Sequence, residues 1–286
     1  MIRALGSISR LHIAAIGAMG TLTFAWALCG VRAAGLALVS GTDWFVVNLL
    51  NRVVDLREDE ANAIPGTALV ARHRRWFLAF GVATLVASLA LTAVHAPALL
   101  PFRLAFHALG FAYNWPLLPG RRRIKELALW KNVASATGFL LTVFAYPLAA
   151  LPLRPDVGGA LVAWAALFFF LFELSYEVLY DLRDVEGDRL AGVRTWPVLL
   201  GPAGGWRVAA GLMLASAGVA ALGYGAAALP WRIAVMGVAP LLQLVVAAQM
   251  VRRGVTARDC IGLTWMGVVL LGGYHVWELL GLPGAG

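Results

Sequence analysis

Long apolar runs separated by short polar connections make up most of the chain. A helix needs roughly 20 apolar residues to cross the hydrocarbon core, and lipid excludes exposed non-helical backbone, so such runs read as transmembrane helices. Residue by residue they fall at Leu11–Val31, Ala33–Val54, Trp76–Ala96, Leu99–Trp115, Leu127–Ala149, Gly158–Tyr180, Trp206–Tyr224, Pro230–Val251 and Ile261–Leu280. The pattern therefore predicts an all-α integral membrane protein of about nine helices in one bundle. Arg3 and Arg10 before the first run imitate a signal peptide, but that run is of spanning length and leads into another, so it reads as a retained helix.

Composition agrees with the pattern. With 61% hydrophobic and 13% charged residues among 286, and a mean hydropathy of +0.79, the chain has too little polar surface to cover a soluble globule. Its formal charge of +8 sits in short clusters between apolar runs, as in a membrane protein and not on a nucleic-acid-binding face. Arg72, Arg74, Arg75; Arg121, Arg122, Arg123, Lys125; Arg183, Arg189, Arg194; and Arg252, Arg253, Arg258 follow the even-numbered spans, whereas the odd-numbered spans are followed by little beyond Arg32, Arg154 and Arg232. The positive-inside rule then makes the N-terminus cytoplasmic and puts the C-terminus across the membrane. Cys29 and Cys260 are far apart in sequence and lie in or beside apolar segments, which indicates neither a disulfide framework nor a cysteine metal site. With no linker or low-complexity segment, residues 1–286 read as one domain.

Two acidic stretches change the picture from a generic bundle to one with chemistry. The second span runs into Asn51-Arg52-Val53-Val54-Asp55-Leu56-Arg57-Glu58-Asp59, and the sixth into Tyr176-Glu177-Val178-Leu179-Tyr180-Asp181-Leu182-Arg183-Asp184-Val185-Glu186-Gly187-Asp188. If the helices continue, Asn51, Asp55 and Asp59 stack on one face, as do Tyr176, Tyr180, Asp184 and Asp188. Stacked carboxylates repel one another unless a cation neutralises them. Oxygen-only ligands favour a hard cation, and Mg²⁺ held by a few carboxylates plus substrate phosphates fits best. Either stretch alone reads equally as a solvated loop; two on one membrane face point to one divided site. Arg72, Arg74, Arg75, Lys125 and Lys131 are candidates for phosphate oxygens, or simply topology determinants.

Asn51-x₃-Asp55-x₃-Asp59, together with Tyr176-Glu177-x₂-Tyr180-Asp181-x₂-Asp184-x₃-Asp188 and the following Arg-Leu-Ala-Gly-Val-Arg-Thr-Trp-Pro, resembles the UbiA superfamily of intramembrane prenyltransferases. The tract from Tyr113-Asn114-Trp115 to Lys131-Asn132 is similar to that family's segment between its fourth and fifth helices. The resemblance implies nine helices around a lipid-open central cavity capped by the acidic loops. The expected location is a prokaryotic cytoplasmic membrane, and the positive-inside rule makes both acidic stretches face the cytoplasm. The implied reaction moves an isoprenyl group from an isoprenyl diphosphate to a lipophilic or aromatic acceptor, as in quinone-precursor or related lipid biosynthesis. Two Mg²⁺ ions are implied, one at Asn51, Asp55 and Asp59 and one at Asp181, Asp184 and Asp188, with Lys125, Lys131 and Asn132 near the diphosphate. Arg52 stands where the family often has an acid, and Ala63-Ile64-Pro65-Gly66-Thr67 replaces its Arg-Pro-Leu/Ile-Pro segment, a place Arg72, Arg74 or Arg75 would fill.

In the implied reaction an allylic cation forms as diphosphate departs, and the rings of Tyr176 and Tyr180 shield it or else serve only as interfacial tyrosines. Asp43 and Arg103 lie inside the second and fourth spans and are expected to face inward and pair. Glu173 reads as a protonated structural group or an acceptor contact, His107 and His275 as hydrogen-bonded core residues, and Phe168-Phe169-Phe170 as lipid-facing or packing bulk and not a chain-length gate. A membrane terpene cyclase keeps the fold and donor but dispenses with the acceptor. A secondary transporter is the alternative of a different class, disfavoured because the acids gather at one face and not at the midplane.

Overall fold

The computed structural model describes residues 9–61, 64–190 and 192–282. Arg3, Ala63 and Ala191, each part of a stretch read above, lie outside them, as do the side chains of Arg57 and Glu58. Eleven helices follow in order: α1 Leu11–Cys29, α2 Ala34–Val54, α3 Leu56–Ala61, α4 Thr67–Arg72, α5 Arg74–His95, α6 Leu100–Asn114, α7 Trp130–Ala150, α8 Gly159–Leu190, α9 Trp196–Gly225, α10 Trp231–Arg253 and α11 Ala257–Leu279. Among the described residues there is no strand. A helix stands at each of the nine expected spans, and seven of them are long and apolar enough to cross a membrane. The other two are α2, whose buried Ser40, Asp43, Asn48 and Arg52 dilute its apolar character, and α6, only 15 residues long.

Neighbours in sequence are neighbours in space. α2 packs on α1, α5 and α6 on α2, α7 on α6, α8 on α7, α9 on α8, α10 on α9, and α11 closes the ring against α1. The outward faces are apolar: Leu38, Trp76, Val94 and Val269 are among the most exposed side chains, as lipid-facing positions require. One half of the interior is filled by Phe24, Trp44, Phe106, Phe139, Phe144 and Phe168. Trp44 stacks on Phe139 with centroids 4.0 Å apart, and Phe169 meets Phe24 and Phe144 at 5.5 Å each, which makes the aromatic run of α8 packing.

Several buried polar groups in this half satisfy one another. Arg103 on α6 donates from Nε to Asp43 Oδ2 at 2.9 Å, makes a closer contact from Nη2 to Asp43 Oδ1, and reaches the Ser88 carbonyl at 2.8 Å. His107 lies 3.0 Å from Asp43, and Tyr146 donates to it at 2.8 Å. The expected Asp43–Arg103 pair is present, and one carboxylate joins α2, α6 and α7. His275 likewise meets Thr23 Oγ1 at 3.1 Å, and both cysteines are buried and free.

Two local breaks have sequence causes. α7 contains a π turn at Leu141–Ala145 just before Pro147, whose missing N–H and bulky ring disfavour regular α geometry four residues upstream. The Thr142 carbonyl there accepts from Thr21 Oγ1 at 3.0 Å. α9 is kinked at Gly201, φ 72° and ψ 166°, immediately before Pro202.

Candidate active site

α2 stops at Val54, Asp55 sits at the break with φ −87° and ψ 24°, and α3 begins at Leu56. The expected stack of Asn51, Asp55 and Asp59 on a continuous helix is thus interrupted. Its spacing survives, because Asp55 N–H donates to the Asn51 carbonyl at 2.9 Å and Asp59 N–H to the Asp55 carbonyl at 2.8 Å. Asp55 is buried and receives Lys125 Nζ at 2.8 Å and Arg123 Nη1 at 3.3 Å. Arg123 is shared with Glu126, to which its own N–H also donates at 3.1 Å. Burial acts to raise the Glu126 carboxyl, but these bonds outweigh it and hold the group below the usual carboxylate range. Asp59 is ion-paired with Arg52, whose side chain is fully enclosed and whose Nη2 donates to the Pro65 carbonyl at 3.1 Å.

The second stretch remains helical, since α8 runs to Leu190 and carries the acids on its last turns. Lys131, on the first turn of α7, spans two of them, at 2.8 Å from Asp181 and 2.9 Å from Asp188. Asn132 donates to Asp181 at 2.7 Å. Asp184 is more exposed and pairs with its neighbour Arg183. The segment from Arg123 to Asn132 is therefore the link between the two stretches, one end on Asp55 and the other on Asp181 and Asp188. Lys131 is six residue steps beyond Lys125, a reach of about 20 Å even when fully extended, so both acidic stretches occupy one end of the bundle. The Leu129 N–H adds a tie, 3.3 Å from the Arg194 carbonyl beyond the second stretch.

Arg72 and Arg74, with Arg75, are exposed, and among the described residues none of them pairs with the acids. The arginine that does reach Asp55 is Arg123, which the sequence marked only as part of a basic cluster. The tyrosines lie on α8 as anticipated. However, their hydroxyls are tied to α11: Tyr176 to the Leu263 carbonyl at 3.1 Å and Tyr180 to Thr264 Oγ1 at 2.8 Å. Arg183 lies over the Tyr180 ring, 5.1 Å from its centroid, so that ring already faces a cation. Glu177, which the spacing did not single out, accepts from Ser135 at 2.7 Å. Tyr113, Tyr176 and Glu177 are half-buried.

The donor set is oxygen-only, and Asn51 Oδ1 and Asn132 Oδ1 are buried acceptors without a hydrogen-bond partner among the described residues. Open oxygen acceptors beside carboxylates suit a hard cation. Among those residues, however, no three Asp, Glu, His or Cys side chains already converge on one point. The carboxylates turn instead to lysine, arginine and asparagine.

The profile of the UbiA prenyltransferase family matches residues 7–268. The chain belongs to that family. Two similar curated proteins are both named digeranylgeranylglyceryl phosphate synthase. The one from Halobacterium salinarum is 31% identical over 242 residues, 81% of this chain and 82% of the relative. The one from Pyrococcus abyssi is 29% identical over 194 residues, 65% of this chain, and the match spans only 63% of that relative's length. A UbiA homologue from Archaeoglobus fulgidus, solved with GPP and Mg²⁺, superposes with a TM-score of 0.71 at 16% identity, covering 95% of this chain and 97% of the other. That likeness is one of fold. With its apolar helices, this UbiA chain is an integral, multi-pass membrane protein.

Proposed function

We propose that this chain is a single-domain, Mg²⁺-dependent prenyltransferase that moves an isoprenyl group from an isoprenyl diphosphate to a lipophilic acceptor and releases diphosphate. One observation carries the reading: the Arg123–Asn132 segment brings both acidic stretches and three basic side chains to one end of an otherwise apolar bundle. Diphosphate is the ligand that calls for cations and metal-binding carboxylates together, and an apolar bundle suits its tail.

Asp181, Asp184 and Asp188, with the Asn132 side-chain amide oxygen, would hold a metal ion at the second stretch; Asn51, Asp55 and Asp59 would be the corresponding group at the first. When bound, Mg²⁺ supplies charge stabilisation for the departing diphosphate. Lys125, Lys131 and Arg123 donate to its oxygens, exchanging carboxylate partners for phosphate ones. Tyr176, whose ring carries no cation, faces the positive charge that develops on the prenyl carbon. The enclosing helices exclude water, which otherwise captures that carbon. The names of the curated relatives favour a glycerol-phosphate lipid acceptor over a quinone precursor. Charge distribution supports a site on the cytoplasmic face of a prokaryotic membrane.

The test is pyrophosphate release by the purified protein with geranyl, farnesyl and geranylgeranyl diphosphates, with and without a geranylgeranylglyceryl phosphate acceptor. Release should require acceptor and cease with EDTA, and Asp55→Ala or Asp184→Ala should lower turnover at least 100-fold in correctly inserted protein. Undiminished turnover in both variants refutes the reading. A cyclised hydrocarbon formed without acceptor replaces it with a cyclase.

A further inference from the structure

The first acidic stretch contains its own cation. Arg52, one residue after Asn51, is among the largest fully enclosed side chains in the protein. Its guanidinium pairs with Asp59 and is pinned from the other side by the Pro65 carbonyl at 3.1 Å. Guanidinium does not give up its proton at any working pH, so this positive charge is permanent. Burial leaves it few ways to leave, because withdrawal strands both a charge and a carboxylate. A divalent ion entering beside Asp59 meets a fixed positive charge already using that carboxylate. The second stretch differs in enclosure: Lys131, held between Asp181 and Asp188, and Arg183, paired with Asp184, keep 17% and 28% of their side-chain surface exposed and can swing to another partner, whereas Arg52 keeps none.

The second observation concerns what Arg52 leaves open. Its Nε–H is a buried donor with no acceptor among the described residues, although Nη2 is satisfied. An unmet buried donor of this kind is costly, and a phosphate oxygen is the chemistry that satisfies it best.

We propose that Arg52 takes the place of a metal ion at the first acidic stretch. The diphosphate is then gripped asymmetrically, by a single Mg²⁺ at Asp181, Asp184 and Asp188 on one side and by protein cations, Arg52 among them, on the other. This rests on the prenyl-transfer reading above and alters one part of it, the number of metal ions.

Counting bound metal tests it without turnover. The purified protein, saturated with the unreactive donor analogue geranyl S-thiolodiphosphate, is titrated with Mn²⁺ while free Mn²⁺ is followed by electron paramagnetic resonance. Wild type should bind one Mn²⁺ per chain. Asp59→Asn should still bind one, Asp184→Asn should bind none, and Arg52→Gln should gain a second. Arg52→Lys, which keeps the charge, should remain at one. Because the wild-type and Asp59→Asn counts stand alone, a poorly folding Arg52→Gln leaves the test intact. Two ions in wild type, or loss of the ion in Asp59→Asn, overturn the substitution while leaving the transfer reading in place. No bound Mn²⁺ in wild type overturns both.

Discussion

A charge inside a membrane protein reveals its neighbourhood by its cost. Asp43 and Arg103 both lie inside apolar spans, and the expense of leaving either unpaired was enough to predict their contact. Of the other members of that cluster, His107 reads from sequence as a hydrogen-bonded core residue, whereas Ser88 and Thr92, which accept from Arg103, and Tyr146 gave no such signal, because residues of these types are common in membrane helices and their spacing is unremarkable. Arg52 was harder to read. Its position marked it as a departure, but sequence alone does not say whether an arginine at a helix end turns to water or inward, and the structure turns it inward onto Asp59. Since Asp43 collects its partners from two other helices, removing the cation should hurt more than removing the pair. Arg103→Leu is expected to cost about 3–5 kcal/mol. Asp43→Leu/Arg103→Leu, which leaves no stranded carboxylate, should recover part of that loss. Thermal unfolding in detergent compares them, and a double variant less stable than Arg103→Leu would contradict the argument.

Elements were legible where hydropathy decides them and not where backbone geometry does. All nine expected spans correspond to helices, but the seventh was placed from Trp206, whereas α9 starts at Trp196. Gly-Pro at positions 201 and 202 reads as a stop. In the protein it is a kink: Gly201 adopts φ 72° and ψ 166°, and Pro202, with its preset φ, restarts the helix. The break at Asp55 was hidden for the opposite reason, since nothing in Val54-Asp55-Leu56 forbids a helix. Gly201 is open on its side-chain face, with nothing within 4 Å of an added Cβ, so the cost of replacing it is conformational alone. Gly201→Ala should therefore destabilise by about 1–3 kcal/mol, the strain of a non-glycine residue in that region. Gly211→Ala, equally open but at an ordinary helical position ten residues on, should be neutral or slightly stabilising. Equal melting temperatures for the two variants would show that the kink is not held by Gly201.

For the whole molecule, the ring of helices puts both acidic stretches at one end, and the basic residues determine which side of the membrane that end faces. Its connections carry Arg72, Arg74, Arg75 and Arg252, Arg253, Arg258, all exposed to solvent. The opposite connections hold few basic residues, and these are engaged in structure. Arg232 reaches Asp156 at 2.6 Å and the Ala27 carbonyl at 3.0 Å, Arg154 lies 3.5 Å from Asp156, and Arg32 lies 3.3 Å from Glu278. Lysine and arginine counts near helix ends decide orientation, so the acid-bearing end should be cytoplasmic. That is also the only end at which a diphosphate enters without its charge crossing lipid. Cys29 and Cys260 are buried, so a cysteine-free background is a modest change, and single cysteines at the exposed Leu117 and Pro155 sample the two ends. A membrane-impermeant maleimide applied to intact cells should label Pro155→Cys and leave Leu117→Cys unmodified until the membrane is opened. The reverse pattern would put the acidic stretches outside, where a cytoplasmic pool of prenyl diphosphate has no access to them.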